Sequence, residues 1–139
     1  MPDYTDEIVV TWEEFHRKGR ELAARLHNLR NWTGILCITR DGLSPAGIIS
    51  RELEIRLIDT ICVHSYDFPG NNGDETIMEQ QDLKILKKPE LEEEGKDWLV
   101  IDDLSDTGKT FEVVRKLYPK AYLACLYAKT YGIDAVDTY

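Results

Sequence analysis

The stretch Leu99-Val100-Ile101-Asp102-Asp103-Leu104-Ser105-Asp106-Thr107-Gly108-Lys109-Thr110 runs from apolar residues to two adjacent carboxylates and then into small and hydroxyl residues. Carboxylates delivered side by side to the edge of a buried strand repel each other and lose hydration, so they require hydrogen bonds or a cation. Magnesium suits them, because it takes oxygen ligands and keeps several waters for a phosphate-bearing partner to share or displace. The turn from Asp106 to Thr110 opens a helix, whose unpaired backbone N–H groups and dipole would hold a phosphate monoester. Carboxylates for sugar hydroxyls and metal, followed at once by an anion cradle, together match a ribose 5-phosphate. A solvated acidic turn before a helix would account for the charge but not for the order of the other residues.

A nucleoside-triphosphate loop is the obvious competitor, since Gly108-Lys109-Thr110 reads as the end of GxxxxGK[ST]. Its first glycine would fall at position 103, which is Asp103, and a carboxylate there would repel the phosphates that such a loop wraps. A dinucleotide fold also fails, because no GxGxxG follows any expected strand.

The elements that must carry this segment can be read from periodicity. Thr11-Trp12-Glu13-Glu14 has the form of a capping box, and Trp12, Phe15, Leu22 and Leu26 recur at helical spacing, predicting an amphipathic helix to about Leu29. Residues 34–39 (GILCIT) are apolar throughout, as in a strand buried on both faces, and Arg40-Asp41-Gly42 breaks the run. A second helix follows around Pro45, Ala46, Ile49 and Leu53. Residues 57–63 form a second expected strand ending at His64-Ser65-Tyr66, and residues 67–82 are too polar for a core, as in a flexible lid loop.

Leu83 to Leu86 suggest a short returning strand, and Pro89 to Gly95 an acidic turn. Trp98 to Ile101 form the third buried strand, with a turn expected over Leu104 to Thr110. Phe111, Val114, Leu117 and Tyr118 mark a helix that Pro119 stops, and residues 121–128 form a last strand ending at Lys129. The alternation predicts one α/β domain over residues 1–139, with a mostly parallel sheet flanked by helices. Ligands of such sheets bind beyond the carboxyl ends of the strands. Arg40-Asp41, Ser65-Tyr66, Asp102-Asp103 and Lys129 all fall there.

Composition bounds the partners. The chain has 139 residues, 42% of them hydrophobic and 31% charged, and a net charge of −9. That acidic balance argues against nucleic acid, whose phosphates are met by clustered Lys and Arg. Cys37, Cys62 and Cys125 lie in apolar runs without metal-ligand spacing, so buried free thiols and a cytoplasmic location are expected. No apolar run approaches the roughly 18 residues of a membrane span, which leaves only a weak peripheral association open.

The segment 99–110 resembles the signature of phosphoribosyltransferases that use phosphoribosyl pyrophosphate. The resemblance extends to Trp12, Thr39-Arg40-Asp41-Gly42-Leu43, Arg51-Glu52-Leu53, Asp59-Thr60, Ser65-Tyr66-Asp67, Leu83-Lys84-Ile85-Leu86 and Ala128-Lys129. In order and spacing the chain is similar to the bacterial xanthine-guanine type, with the type I fold. The resemblance implies transfer of a phosphoribosyl group to N9 of a 6-oxopurine in purine salvage, with magnesium as cofactor and release of pyrophosphate.

On the same ground Arg40 and Asp41 form a pyrophosphate loop, whose peptide bond is often cis, and the family often has Gly where Asp41 stands. Asp102, Asp103, Leu104, Ser105, Asp106, Thr107, Gly108, Lys109 and Thr110 bind the donor, and Asp103 is the closest metal contact. Asp106 is the catalytic carboxylate facing N7 of the base, and Lys129 holds its 6-oxygen. Ser65-Tyr66 open the lid, and Gln81 stands where the family commonly has Arg. The family continues past Tyr139 into a purine-covering segment that this sequence does not include, and it assembles as dimers or tetramers. A non-catalytic sensor of the donor, or a transferase for a pyrimidine or adenine, remains an alternative, and Lys129 speaks against the latter.

Overall fold

The computed structural model describes residues 8–65 and 83–139. The expected lid loop 67–82, with Tyr66 and Gln81, lies outside the described residues. Helix α1 (Trp12–Leu26) starts as its capping sequence demands, with Thr11 Oγ1 accepting the Glu14 N–H at 3.2 Å. It stops at Leu26, short of the expected Leu29. The Trp32 indole N–H donates to the Leu26 carbonyl at 3.1 Å, satisfying from outside an oxygen that a longer helix would have used. Trp12 also departs from expectation. It is 79% exposed and meets the edge of the Phe15 ring, because the buried stripe begins about two turns later with Gly19, Leu22, Ala23 and Leu26.

Strand β1 (Gly34–Thr39) is buried nearly throughout, as its unbroken apolar run predicts. Helix α2 (Leu43–Glu52) packs on α1, and β2 (Ile58–Ser65) follows. Strand β3 (Leu83–Lys87) returns antiparallel to β2. Strand β4 (Trp98–Ser105), helix α3 (Lys109–Leu117) and strand β5 (Tyr122–Ala128) complete the framework. The sheet order is β3-β2-β1-β4-β5, with every pair parallel except β2–β3.

Alternation along the strands sends successive side chains to opposite faces and builds two cores. Ile35, Cys37, Leu99 and Ile101 meet α1 and α2 through Leu22, Leu26 and Ile49. Leu36, Ile38, Val100 and Leu123 meet α3 through Phe111 and Val114. Each large side chain so buried contributes about 1.5–3 kcal/mol relative to exposure.

Strand β4 runs further than sequence predicts. Asp102, Asp103, Leu104 and Ser105 are strand residues, and the turn starts only at Asp106. The cause is β5, whose Cys125, Tyr127 and Ala128 pair with Asp102, Leu104 and Ser105. Pairing of β4 with β1 ends at Cys37–Ile101, while β1 continues against β2 at Ile38–Ile61 and Thr39–Cys62. The two central strands therefore part at their carboxyl ends, where chain connections leave in opposite directions and open sheets hold their ligands.

Candidate active site

Three segments meet where β1 and β4 part. The first is the turn after β1. The cis peptide bond lies between Thr39 and Arg40, one residue before the Arg40–Asp41 bond expected from sequence. The Gly42 N–H returns to the Ile38 carbonyl at 2.8 Å. A Cβ on Gly42 would stand 2.5 Å from the Ile38 oxygen and 2.6 Å from the Ile101 oxygen, so only glycine lets the turn sit on both strands. Arg40, Asp41 and Asp103 line one pocket of about 450 Å³ together with Trp12, Phe15 and Leu43. The exposed Trp12, which shares its helical period with Phe15, Leu22 and Leu26, is thus a wall of this pocket. A wider hollow of about 810 Å³ lies along the outer face of α1, lined by charged residues such as Arg17, Arg20 and Glu52, and touches none of these residues.

The second segment is the acidic end of β4. Asp102 is 9% exposed, and its Oδ1 accepts the Asp103 N–H at 2.8 Å. Burial pushes its pKa up to about 8 against the lowering effect of that hydrogen bond, and the carboxylates of Asp103 and Asp41 raise it further. Among the described residues no three His, Cys, Asp or Glu side chains form a metal cage. The adjacent carboxylates of Asp102 and Asp103 are the oxygen donors that magnesium takes, and one or two such groups would hold it when phosphate oxygens and water complete its shell.

The third segment is the turn into α3. Asp106 and Thr107 are exposed, and Thr107 Oγ1 accepts the Lys109 N–H at 3.4 Å. Gly108 takes φ +83° at the helix start, a left-handed conformation that L side chains adopt at a cost. Lys109 is exposed and Thr110 half-buried. Helix α3 starts at Lys109, three residues after Asp106, and the first N–H groups of a helix lack intrahelical partners, which is what an anion cradle uses.

Lys129, immediately after β5, reaches this turn. Its Nζ lies 3.3 Å from Asp106 Oδ1, and both side chains are largely exposed. The pair contributes little to stability, but it brings a cation with donors and a carboxylate to one edge of the cradle. Leu104 and Ser105, expected in the donor-binding turn, belong to the strand instead. The Ser105 hydroxyl is buried and donates to the Gly132 carbonyl at 2.7 Å, so it is already engaged.

Sequence reasoning therefore brought Arg40, Asp41, Asp102, Asp103, Asp106, Lys109 and Lys129 to one end of the sheet, where the structure places them. It missed the wedge role of Gly42, the pocket wall at Trp12 and the contact of Ser105 with Gly132. The only sequence signals for these were a glycine after a strand, an aromatic at a helix start and a lone glycine after Lys129. Among the described residues no helix is long and apolar enough to cross a membrane.

Residues 7–139 match the Phosphoribosyl transferase domain family. The chain is 45% identical over 136 residues to a xanthine-guanine phosphoribosyltransferase of Desulfotalea psychrophila, an overlap covering 98% of this chain and 79% of that protein. A purine phosphoribosyltransferase from Pyrococcus horikoshii superposes with a TM-score of 0.76 at 28% identity, over 97% of this chain and 86% of the other. The xanthine-guanine-hypoxanthine phosphoribosyltransferase of Helicobacter pylori shares the fold with a TM-score of 0.73 at 24% identity, over 92% and 82% of the two chains. With the family model matching nearly the whole chain and a relative 45% identical over 98% of it, the chain belongs to the phosphoribosyl transferase domain family.

Proposed function

We propose that the protein transfers a phosphoribosyl group from phosphoribosyl pyrophosphate to N9 of a 6-oxopurine, as a salvage enzyme for xanthine, guanine or hypoxanthine. The observation that carries this reading is the Lys129–Asp106 pair at the rim of the phosphate turn. A 6-oxopurine offers an acceptor at its 6-oxygen beside N7, which carries or receives a proton. A lysine offers only donors and a carboxylate only acceptors, so the pair matches that edge. The 6-amino group of adenine would point its donors at the Lys129 donors.

The donor's 5-phosphate would rest on the turn Asp106 to Thr110, and its ribose hydroxyls would face Asp102 and Asp103. Arg40 and Asp41 would flank the pyrophosphate. Magnesium, held through Asp103 and the donor's own oxygens, would neutralise charge on the departing pyrophosphate. As the bond from the anomeric carbon to the pyrophosphate oxygen breaks, N9 forms the new bond with inversion, and Asp106 takes or shares the proton on N7. Arg40 stabilises the leaving group, and most of the acceleration arises from such placed charges. Exclusion of water would protect the cationic ribosyl centre from hydrolysis.

Incubation of the protein with the donor, magnesium and each base in turn tests the reading. Nucleoside monophosphate and pyrophosphate should form in equal amounts with 6-oxopurines and not with adenine. Equal turnover of adenine would remove the role of Lys129, and no turnover with any purine would overturn the reading.

A further inference from the structure

We propose that Ser105 is a positioning residue that sets the base-binding side of the site against the phosphate turn. The inference rests on the function proposed above. Ser105 is the last residue of β4, 1% exposed, and it holds the segment after β5 at two points. Its hydroxyl donates to the Gly132 carbonyl at 2.7 Å, and its own carbonyl accepts the Lys129 N–H at 2.9 Å. The Gly132 N–H returns to the Lys129 carbonyl at 2.8 Å, so the residues between are closed into a small ring on top of Ser105.

Packing requires the same partners. A Cβ on Gly132 would overlap the Ser105 carbonyl oxygen and stand 2.6 Å from its hydroxyl oxygen. One turn further on, a Cβ on Gly108 would stand 2.7 Å from the Ala135 Cβ. The stretch from Lys129 to Ala135 is thus seated on Ser105 and Gly108, the two residues that bracket Asp106 and Thr107.

This matters because Asp106 and Lys129 do not hold each other. Both are more than 60% exposed, and an exposed ion pair contributes little ordering. Their relative placement comes from the backbone of each, and Ser105 fixes both. It directly precedes Asp106 and hydrogen-bonds the Lys129 N–H. The Ser105 hydroxyl is accordingly an orienting group for Lys129, acting through Gly132, and touches neither substrate.

Ser105→Ala removes the donor while keeping a small side chain in the buried space. The KM for a 6-oxopurine should rise about five- to tenfold, the loss of one buried hydrogen bond, while the KM for the donor changes less than twofold. Ser105→Thr, which restores the hydroxyl, should return the base KM toward the parent value. In Ser105→Ala combined with Lys129→Met, the base KM should be no higher than with Lys129→Met alone, because one residue acts through the other. A merely structural Ser105 would lower the melting temperature and the active fraction and leave both KM values in place. Equal rises in the two KM values, or multiplying effects in the double variant, would overturn the proposal.

Amide hydrogen exchange separates this failure from failure of the proposed function. In Ser105→Ala, exchange at Lys129 and Gly132 should accelerate about five- to tenfold with Ile35 unchanged. The two amides donate to the Ser105 and Lys129 carbonyls, so unchanged exchange there would show that the Ser105 hydroxyl does not order the segment, whether or not the protein transfers phosphoribose.

Discussion

The same chemical change, glycine to alanine, should have opposite effects at two positions only five residues apart. At Gly42 an added methyl would stand 2.5 Å from the Ile38 oxygen and 2.6 Å from the Ile101 oxygen. Ordinary carbon–oxygen contacts are about 3.3 Å or longer, so each is short by roughly 0.7 Å. Neither oxygen can yield alone. One belongs to β1 and the other to β4, and the Ile38 oxygen also holds the Gly42 N–H. Relief requires the turn to lift or the strands to part further, at the upper end of the ~1–3 kcal/mol typical of overpacking.

At Gly47, inside α2 and exposed, the methyl meets nothing within 4 Å. Ordering glycine in a helix costs about 0.5–1 kcal/mol more than ordering alanine, so that substitution should stabilise the fold. The two variants should differ by about 2–4 kcal/mol, or roughly 6–20 °C in Tm for a domain of this size. Scanning calorimetry of parent, Gly42→Ala and Gly47→Ala measures this directly. Donor binding with magnesium should weaken only in Gly42→Ala, because Arg40 and Asp41 ride on the displaced turn. A Gly42→Ala protein that melts within 2 °C of its parent and binds the donor equally well would refute the wedge argument.

Asp102 predicts a pH dependence. Its folded-state pKa of about 8 lies above the ordinary carboxylate value, so between about pH 4 and pH 8 the folded chain keeps a proton that the unfolded chain has lost. Metal-free protein should lose stability as pH rises through that window. Asp102→Asn, which keeps the acceptor for the Asp103 N–H, should lose this slope and melt higher at pH 7.5, and an unchanged slope in thermal melts would reject the assignment. Asp106→Asn caps the turn about as well as Asp but lacks its basicity, so kcat should fall about a hundredfold or more with Tm nearly unchanged. Full turnover in that variant would leave Asp106 as a cap. Burial raises the Cys37 and Cys125 thiols to about 11 and about 12, so iodoacetamide at pH 8 should label neither until denaturant is added, with mass spectrometry as the readout.

Much of the architecture was legible because local patterns and tertiary demands agreed. The unbroken apolar runs at 34–39 and 98–101 required strands covered on both faces, and the stripe Phe111, Val114, Leu117 required a helix stopped by Pro119. Asp102, Asp103 and the turn after them could be read as metal-, ribose- and phosphate-directed chemistry for a related reason. Adjacent carboxylates at the end of an apolar strand have few other uses.

What sequence could not decide depends on neighbours distant along the chain. Whether β4 ends at Ile101 or Ser105 is set by β5, more than twenty residues later, which supplies the pairing partners of Asp102 through Ser105. Trp12 satisfies the helical period as well as Leu22 does, yet only the position of α1 on the sheet makes one a pocket wall and the other core. Ser105 looks like one more hydroxyl in a phosphate turn until Gly132 is seen to take its hydrogen bond. The sequence by itself determined which chemical groups reach the end of the sheet, since strand and helix periodicity are local. Only the tertiary structure decided how far β4 runs, which glycines admit no side chain and which hydroxyl is already engaged, because each depends on the approach of backbones that the local pattern does not encode.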